Sequence, residues 1–200
     1  MKEGPYNPGQ AAVLFPFWPD KVDWFLLGGP SDADEAQTIH ARYPQVKCVG
    51  FEPHRGYLEY QKQAAFPGDL HPVALWDSDG EVRFFTPDDS PRSSSPAWEF
   101  TDETGVWTTV PCRSLDSLDG ELGPFTNAVL WLDIEYSEVR ALEGAAGLLG
   151  SGRVKILNVE LWDSNHPRIE SLLLPLGYRP VLTHAHTIRD KRDVVYRLEK

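Results

Sequence analysis

Ala128-Val129-Leu130-Trp131-Leu132-Asp133-Ile134-Glu135-Tyr136-Ser137-Glu138 is the stretch that decides the fold of this chain. Its first half is a continuous apolar run, which is how a strand buried on both faces reads. Its second half carries three carboxylates. A charged side chain inside a core is costly unless paired, so Asp133 and Glu135 are expected at the strand's end. In open α/β sheets, ligands bind beyond the carboxyl ends of the strands. A buried strand that emerges as Asp-x-Glu and runs into a helix is therefore a candidate active-site edge.

Upstream of it, Val22 to Leu27 reads as a short apolar strand and Gly28-Gly29-Pro30-Ser31 as a turn. Ser31 or Asp32 is the expected cap of a helix over about Ala33 to Tyr43, with acids in its first turn and Arg42 in its last. Val46 to Phe51 is a second strand, closed by Glu52-Pro53, and a second helix follows from about Gly56 to Ala65. His71 to Leu75 is a third strand. Trp76-Asp77-Ser78-Asp79-Gly80 has hairpin chemistry and leads to a fourth strand, Glu81 to Thr86. Pro87 to Pro96 is a polar, serine-rich loop, and its Asp88 to Ser95 part is a candidate lid. Thr108 to Cys112 is a short strand and Ser114 to Leu118 a helical turn.

Downstream come a helix from about Ser137 to Leu149, an apolar strand from Val154 to Leu161, and a helix from His166 to Leu174. A hairpin-like region from Tyr178 to Leu198 ends the chain. Strands alternating with helices predict a mostly parallel sheet with helices on both faces. The terminal segment adds an antiparallel hairpin. The expected fold is α/β and Rossmann-like over 22–200, after an irregular N-terminal lead-in, 1–21. No internal repeat or linker divides it.

The 200 residues suffice for one domain with a sizeable core. With 19 basic and 30 acidic residues the net charge is -11, which argues against nucleic acid or an anionic membrane as the main partner. Cys48 and Cys112 lie far apart with no metal-like spacing and read as reduced core thiols. No apolar run approaches the ~20 residues of a membrane span, and the N-terminus lacks a secretion signal. The expectation is a soluble cytoplasmic protein.

The first strand-to-helix turn contains neither GxGxxG nor GxxxxGK[ST], so no pyrophosphate cradle is supported. Gly28 and Gly29 still permit close approach of backbone to a ligand. Asp32, Asp34 and Glu35 crowd the helix start and would repel a pyrophosphate while tolerating a cation. Glu52 closes the second strand, where such folds place an acid that accepts hydrogen bonds from ribose hydroxyls. A ligand with a ribose, positive charge and no phosphate fits this set, and S-adenosylmethionine is such a molecule.

Several segments, in order, resemble the FkbM-type S-adenosylmethionine-dependent methyltransferases. Phe51-Glu52-Pro53 is similar to the family's Phe-Glu-Pro after strand two. The stretch from Val73-Ala74-Leu75-Trp76-Asp77 to Gly80-Glu81-Val82 is similar to its Ala-Leu-Ser-Asp-x-x-Gly-x-Val. Arg113-Ser114-Leu115-Asp116 looks like its Thr-Leu-Asp. Leu132 to Glu138 with Leu142-Glu143-Gly144-Ala145 resembles its Ile-Asp-x-Glu-Gly-x-Glu and Leu-x-Gly-Ala run, and Asn158-Val159-Glu160 its strand ending in Glu. The chain departs from the family at the first turn, which lacks the leading Asp and the last Gly of Asp-x-Gly-Ala-Asn-x-Gly. It departs again at Tyr136, which stands where the family has Gly.

The resemblance implies S-adenosylmethionine as cofactor, with Gly28, Gly29, Ser31, Asp32, Glu52, Pro53, Ala74, Trp76 and Asp133 around it. Asp32 would replace the missing carboxylate of the first turn. The implied reaction is methyl transfer to a hydroxyl of a small molecule or sugar, which requires alignment and removal of the hydroxyl proton. Asp133, Glu135 and Glu160 are the candidate catalytic acids, with Glu138 as a further one. The alternative roles for these acids are to cap the helix near Ser137 or to pair with Arg140.

Tyr136 either reshapes the substrate pocket or impairs cofactor binding. The second case would leave a non-catalytic, degenerate Rossmann-like binding or interaction protein. A third reading uses the paired carboxylates on a carbohydrate. His184 and His186 share a strand face, but two histidines without a third ligand do not make a metal site, and none is expected. His166 reads as a helix start. The short lead-in offers little material for an acceptor pocket, which a partner or dimer contact would complete.

Overall fold

Strand β7, Ala128–Leu132, is buried along its whole length because it has a strand on each side and a core on each face. It pairs in parallel with β1, Trp24–Gly28, and with β8, Val154–Trp162. Successive side chains of a strand point to opposite faces, and the packing follows this alternation. Ala128, Leu130 and Leu132 enter one core, while Val129 and Trp131 enter the other. In β1, Trp24 and Leu26 join the first core and Phe25 and Leu27 the second. A shift of register after Ala128 lets both Val154 and Leu157 of β8 face the first core.

The computed structural model describes residues 11–63, 66–88, 94–96, 104–186 and 190–199. The remaining β-strands are β2 (Lys47–Phe51), β3 (Gly68–His71), β4 (Ala74–Leu75), β5 (Gly80–Pro87), β6 (Gly105–Arg113), β9 (Tyr178–Ala185) and β10 (Lys191–Leu198). The seven-stranded sheet has the order β3-β2-β1-β7-β8-β10-β9. It is parallel from β3 to β8, and the antiparallel strand β10 lies between β8 and β9. This is the Rossmann-like methyltransferase fold, mostly parallel with an antiparallel C-terminal hairpin.

Helices α3 (Leu115–Leu122), α4 (Glu138–Glu143), α5 (Ala146–Gly150) and α6 (His166–Leu173) cover the first core. Helix α1 (Asp34–Arg42) covers the second together with a 3-10 helix over Ala11–Phe17. That turn sends Ala11 and Leu14 into the second core. Helix α2, Arg55–Gln63, follows β2. Cys48 and Cys112 are free, buried thiols. No described helix is long and apolar enough to cross a membrane.

Three local expectations are corrected. The strand expected from His71 to Leu75 is split, with His71 ending β3 in the seven-stranded sheet and Ala74–Leu75 forming β4 in another. Trp76 to Gly80 does not close a hairpin. Ala74 and Gly80 both lie opposite Cys112, so β6 runs between β4 and β5 in a separate three-stranded sheet. The polar turn is used otherwise: Asp79 accepts hydrogen bonds from the Ser114 backbone N–H and the Ser117 hydroxyl and pairs with Arg113. The expected helix from Ser137 to Leu149 is broken into α4 and α5 at Gly144. A Cβ there would lie 2.0 Å from the Trp76 carbonyl oxygen. Asp116 of α3 then caps the new start, accepting from the N–H groups of Gly147 and Leu148 at 2.8 and 2.7 Å.

Candidate active site

The carboxyl ends of β1, β2 and β7 open into a cleft of about 500 Å³, including its mouth. Its floor depends on Gly29, which has φ 74° and lies so close to β7 that a Cβ would come within 1.9 Å of the Asp133 carbonyl oxygen. Only glycine allows both the left-handed backbone and this contact. The turn continues through left-handed Ser31 and Ala33. Ala33 occupies the position before α1, and its methyl offers no cap bond. The Ser31 backbone N–H donates to the Glu52 carboxylate.

Glu52 follows β2 and is only 5% exposed. Its carboxylate also accepts from the His54 N–H at 2.8 Å. Burial pushes its pKa up to about 7, against the pull of those two donors. Gly29, Ser31, Glu52, Pro53, Ala74 and Asp133 line the cleft. Gly28, Asp32 and Trp76 are not among its described lining residues. Gly28 packs behind it, within 3.1–3.2 Å of Leu132, Leu75 and Ile134 as judged from an added Cβ. The Trp76 ring lies under the Arg140 guanidinium instead.

Beyond β7 the chain turns sharply. Glu135 and Tyr136 both have positive φ, 47° and 69°, a conformation glycine adopts at no cost and other residues adopt rarely. Three contacts hold the turn. The Ser95 hydroxyl donates to the Glu135 carbonyl. The buried Glu138 carboxylate accepts from the Ile134 N–H at 3.1 Å. The Tyr136 ring stacks on Trp162 at 4.5 Å. Glu138 is thus a structural acid, with its pKa pushed up to about 8 by burial. Arg140 pairs with Asp77 and Glu143, not with the strand-end acids. Of the candidate lid, residues 89–93 lie outside the described residues; Pro96 and Ser94 line the cleft.

Asp133, Glu135 and Glu160 come together, their carboxylate oxygens within 4.8 Å of one another. Asp133 and Glu135 line the cleft, while Glu160 on β8 is buried behind them. Burial raises all three pKa values; the Asp133 charge adds to it at Glu160 and at Glu135, which reaches about 7, while Asp193 adds to it at Asp133. The sequence reading missed the groups that organise them. Lys191 at the start of β10 reaches Glu160 at 2.8 Å and Glu135 at 3.3 Å. Burial disfavours its ammonium, but Glu160, Glu135 and Asp133 outweigh this and raise its pKa. Asp193, opposite Glu160 in the β8–β10 ladder, holds His186 at 2.8 Å. The available signal was period-two alternation: Lys191 and Asp193 share one strand face, just before the buried Val194 and Val195. His166 opens α6 as expected and reaches Glu170 at 3.4 Å.

A sequence comparison with curated proteins finds no match. Among solved structures, the chain is similar to ribosomal protein L11 methylase from Lactobacillus delbrueckii subsp. bulgaricus, at 10% identity and a TM-score of 0.51, over 95% of this chain and 77% of that one. It is also similar to precorrin-6y C5,15-methyltransferase from Geobacter metallireducens GS-15, at 11% identity and a TM-score of 0.52, over 95% of this chain and 86% of that one. At such identities the likeness establishes the fold alone. The sequence itself carries the family: the methyltransferase FkbM domain matches residues 30–180, most of the chain, and the protein belongs to that family.

Proposed function

We propose that the protein binds S-adenosylmethionine in the cleft at the ends of β1, β2 and β7 and catalyses O-methylation of a small molecule or sugar. The observation that carries this is Glu52: a nearly buried carboxylate facing a cleft with a glycine-dependent floor and no lysine or arginine among its described lining residues. Such a group suits ribose hydroxyls and not phosphates. Its two backbone donors fix the carboxylate, so it meets hydroxyl donors without rearranging. Asp133, beside Gly29, would accept from the methionine ammonium. That assignment replaces Asp32, since the family's leading acid has no counterpart in the fully buried Leu27. Ala74, Leu75 and Phe84 supply an apolar wall for the base.

The bound cofactor supplies an electrophilic methyl on a sulfonium. This chain must position an acceptor hydroxyl in line and take its proton as the oxygen–carbon bond forms and the carbon–sulfur bond breaks. Glu135 lines the cleft, and we assign it as the base that receives that proton. Lys191 positions it and neutralises the carboxylate form.

Titration calorimetry with S-adenosylmethionine tests the reading. We expect saturable binding that Glu52→Ala weakens by about tenfold or more, equivalent to about 1.4 kcal/mol. No binding at millimolar cofactor refutes it. Equal affinity for Glu52→Ala refutes the ribose assignment. Binding with no turnover on a panel of hydroxylated acceptors favours a degenerate, non-catalytic relative.

A further inference from the structure

Four carboxylates, from Asp133, Glu135, Glu160 and Asp193, cluster where β7, β8 and β10 meet, and the Lys191 ammonium pairs with two of them. Lys191 occupies one side of the group, on Glu135 and on Oε1 of Glu160. The other Glu160 oxygen, Oε2, is buried and has no hydrogen-bond donor. Asn158 Oδ1, two residues earlier on the same strand face, is also buried without a donor. A buried acceptor left unsatisfied is costly, and two on one face call for an occupant.

Glu160, His186 and Asp193 offer one ligand atom each, all within 4.8 Å of one another. His186 Nε2 and Asp193 Oδ2 are 2.8 Å apart, near the ~3 Å edge of an octahedron with bonds of about 2.1 Å. We propose that Glu160, Asp193 and His186 bind a divalent cation of the Mg²⁺ or Mn²⁺ class. Carboxylate oxygens select hard cations of this kind, and the single imidazole is compatible with Mn²⁺. The charge balance agrees, because a dication reduces the excess of acid that Lys191 alone leaves. A proton held between Glu160 and Asp133 is the competing occupant of the orphan oxygen.

The site deepens the methyltransferase reading: a cation beside the cleft would hold an acceptor hydroxyl and make it more acidic. That role rests on the reading; cation binding itself does not. The experiment is Mn²⁺ titration of the full chain without S-adenosylmethionine, followed by electron paramagnetic resonance. We expect one strongly bound ion per chain. Glu160→Gln and His186→Ala should each weaken it about tenfold or more, while Asp69→Asn, in an exposed pair with Lys47, leaves it unchanged. His186 is at the rim, so its variant reports even if Glu160→Gln folds poorly. No bound Mn²⁺ at about 1 mM, or affinity unaffected by His186→Ala, overturns the proposal in favour of the shared proton. Cofactor binding without Mn²⁺ binding would overturn the cation site and leave the methyltransferase reading standing. The reverse outcome would do the opposite.

Discussion

Two residues show how much of this site is backbone geometry. Tyr136 stands in the left-handed conformation that glycine adopts freely, and it is compensated by its stack on Trp162. The large ring is therefore committed to a neighbour rather than loose in the pocket. Tyr136→Ala loses the stack and keeps the strained φ, whereas Tyr136→Gly loses the same stack and relieves the strain. The glycine variant should be the more stable of the two by about 1 kcal/mol in urea denaturation; the opposite order would mean that the turn is unstrained. Gly29 is the converse case. Gly29→Ala drives a methyl into the Asp133 carbonyl, so the floor of the cleft must move. We expect cofactor affinity in calorimetry to fall about tenfold or more, with the fold retained by circular dichroism.

At the scale of elements, the chain was legible where burial dictated pattern. The apolar run of β7, the acid after β2 and the helices flanking them follow from hydrophobic periodicity and capping chemistry. The expected and observed elements diverge where a distant segment intervenes. Nothing local to Ser137–Leu149 signals that the Trp76 carbonyl will press against Gly144, and nothing local to Asp79 says that Ser114 and Ser117 will claim its carboxylate. Lys191 was missed for the same reason: its partners, Glu135 after β7 and Glu160 on β8, are remote in sequence. The α4–α5 break is testable. Gly144→Ala should cost about 1–3 kcal/mol through overpacking. Asp116→Ala, which removes the cap of α5, should cost about 1 kcal/mol. Both are read from denaturant midpoints, and a neutral Gly144→Ala would show that the helices are separated for another reason.

For the whole molecule, buried acids set the response to pH. Glu52 and Glu138 have ordinary values of 4.5 and folded values of about 7 and about 8. Between these limits the folded state holds protons that the unfolded chain has released, so stability falls as pH rises. His54, lowered by burial, works the other way only below its ordinary value of 6.5. The urea midpoint should therefore decline from pH 6.5 to 8, and Glu138→Gln should flatten the decline. A midpoint that rises over this range would mean these carboxylates are already ionised in the fold.

The insertion of β10 between β8 and β9 has a consequence for biosynthesis. A ribosome delivers Glu135 and Glu160 well before Lys191, and delivers both neighbours of β10 before β10 itself. Until that strand arrives, the nascent chain carries an open sheet edge on β8 and a knot of acids with no ammonium. The acid cluster and the mechanical closure of the sheet are thus completed in a single late event. Chains interrupted before Lys191 should be recognised and cleared as unfolded, not released as weakened versions of the protein.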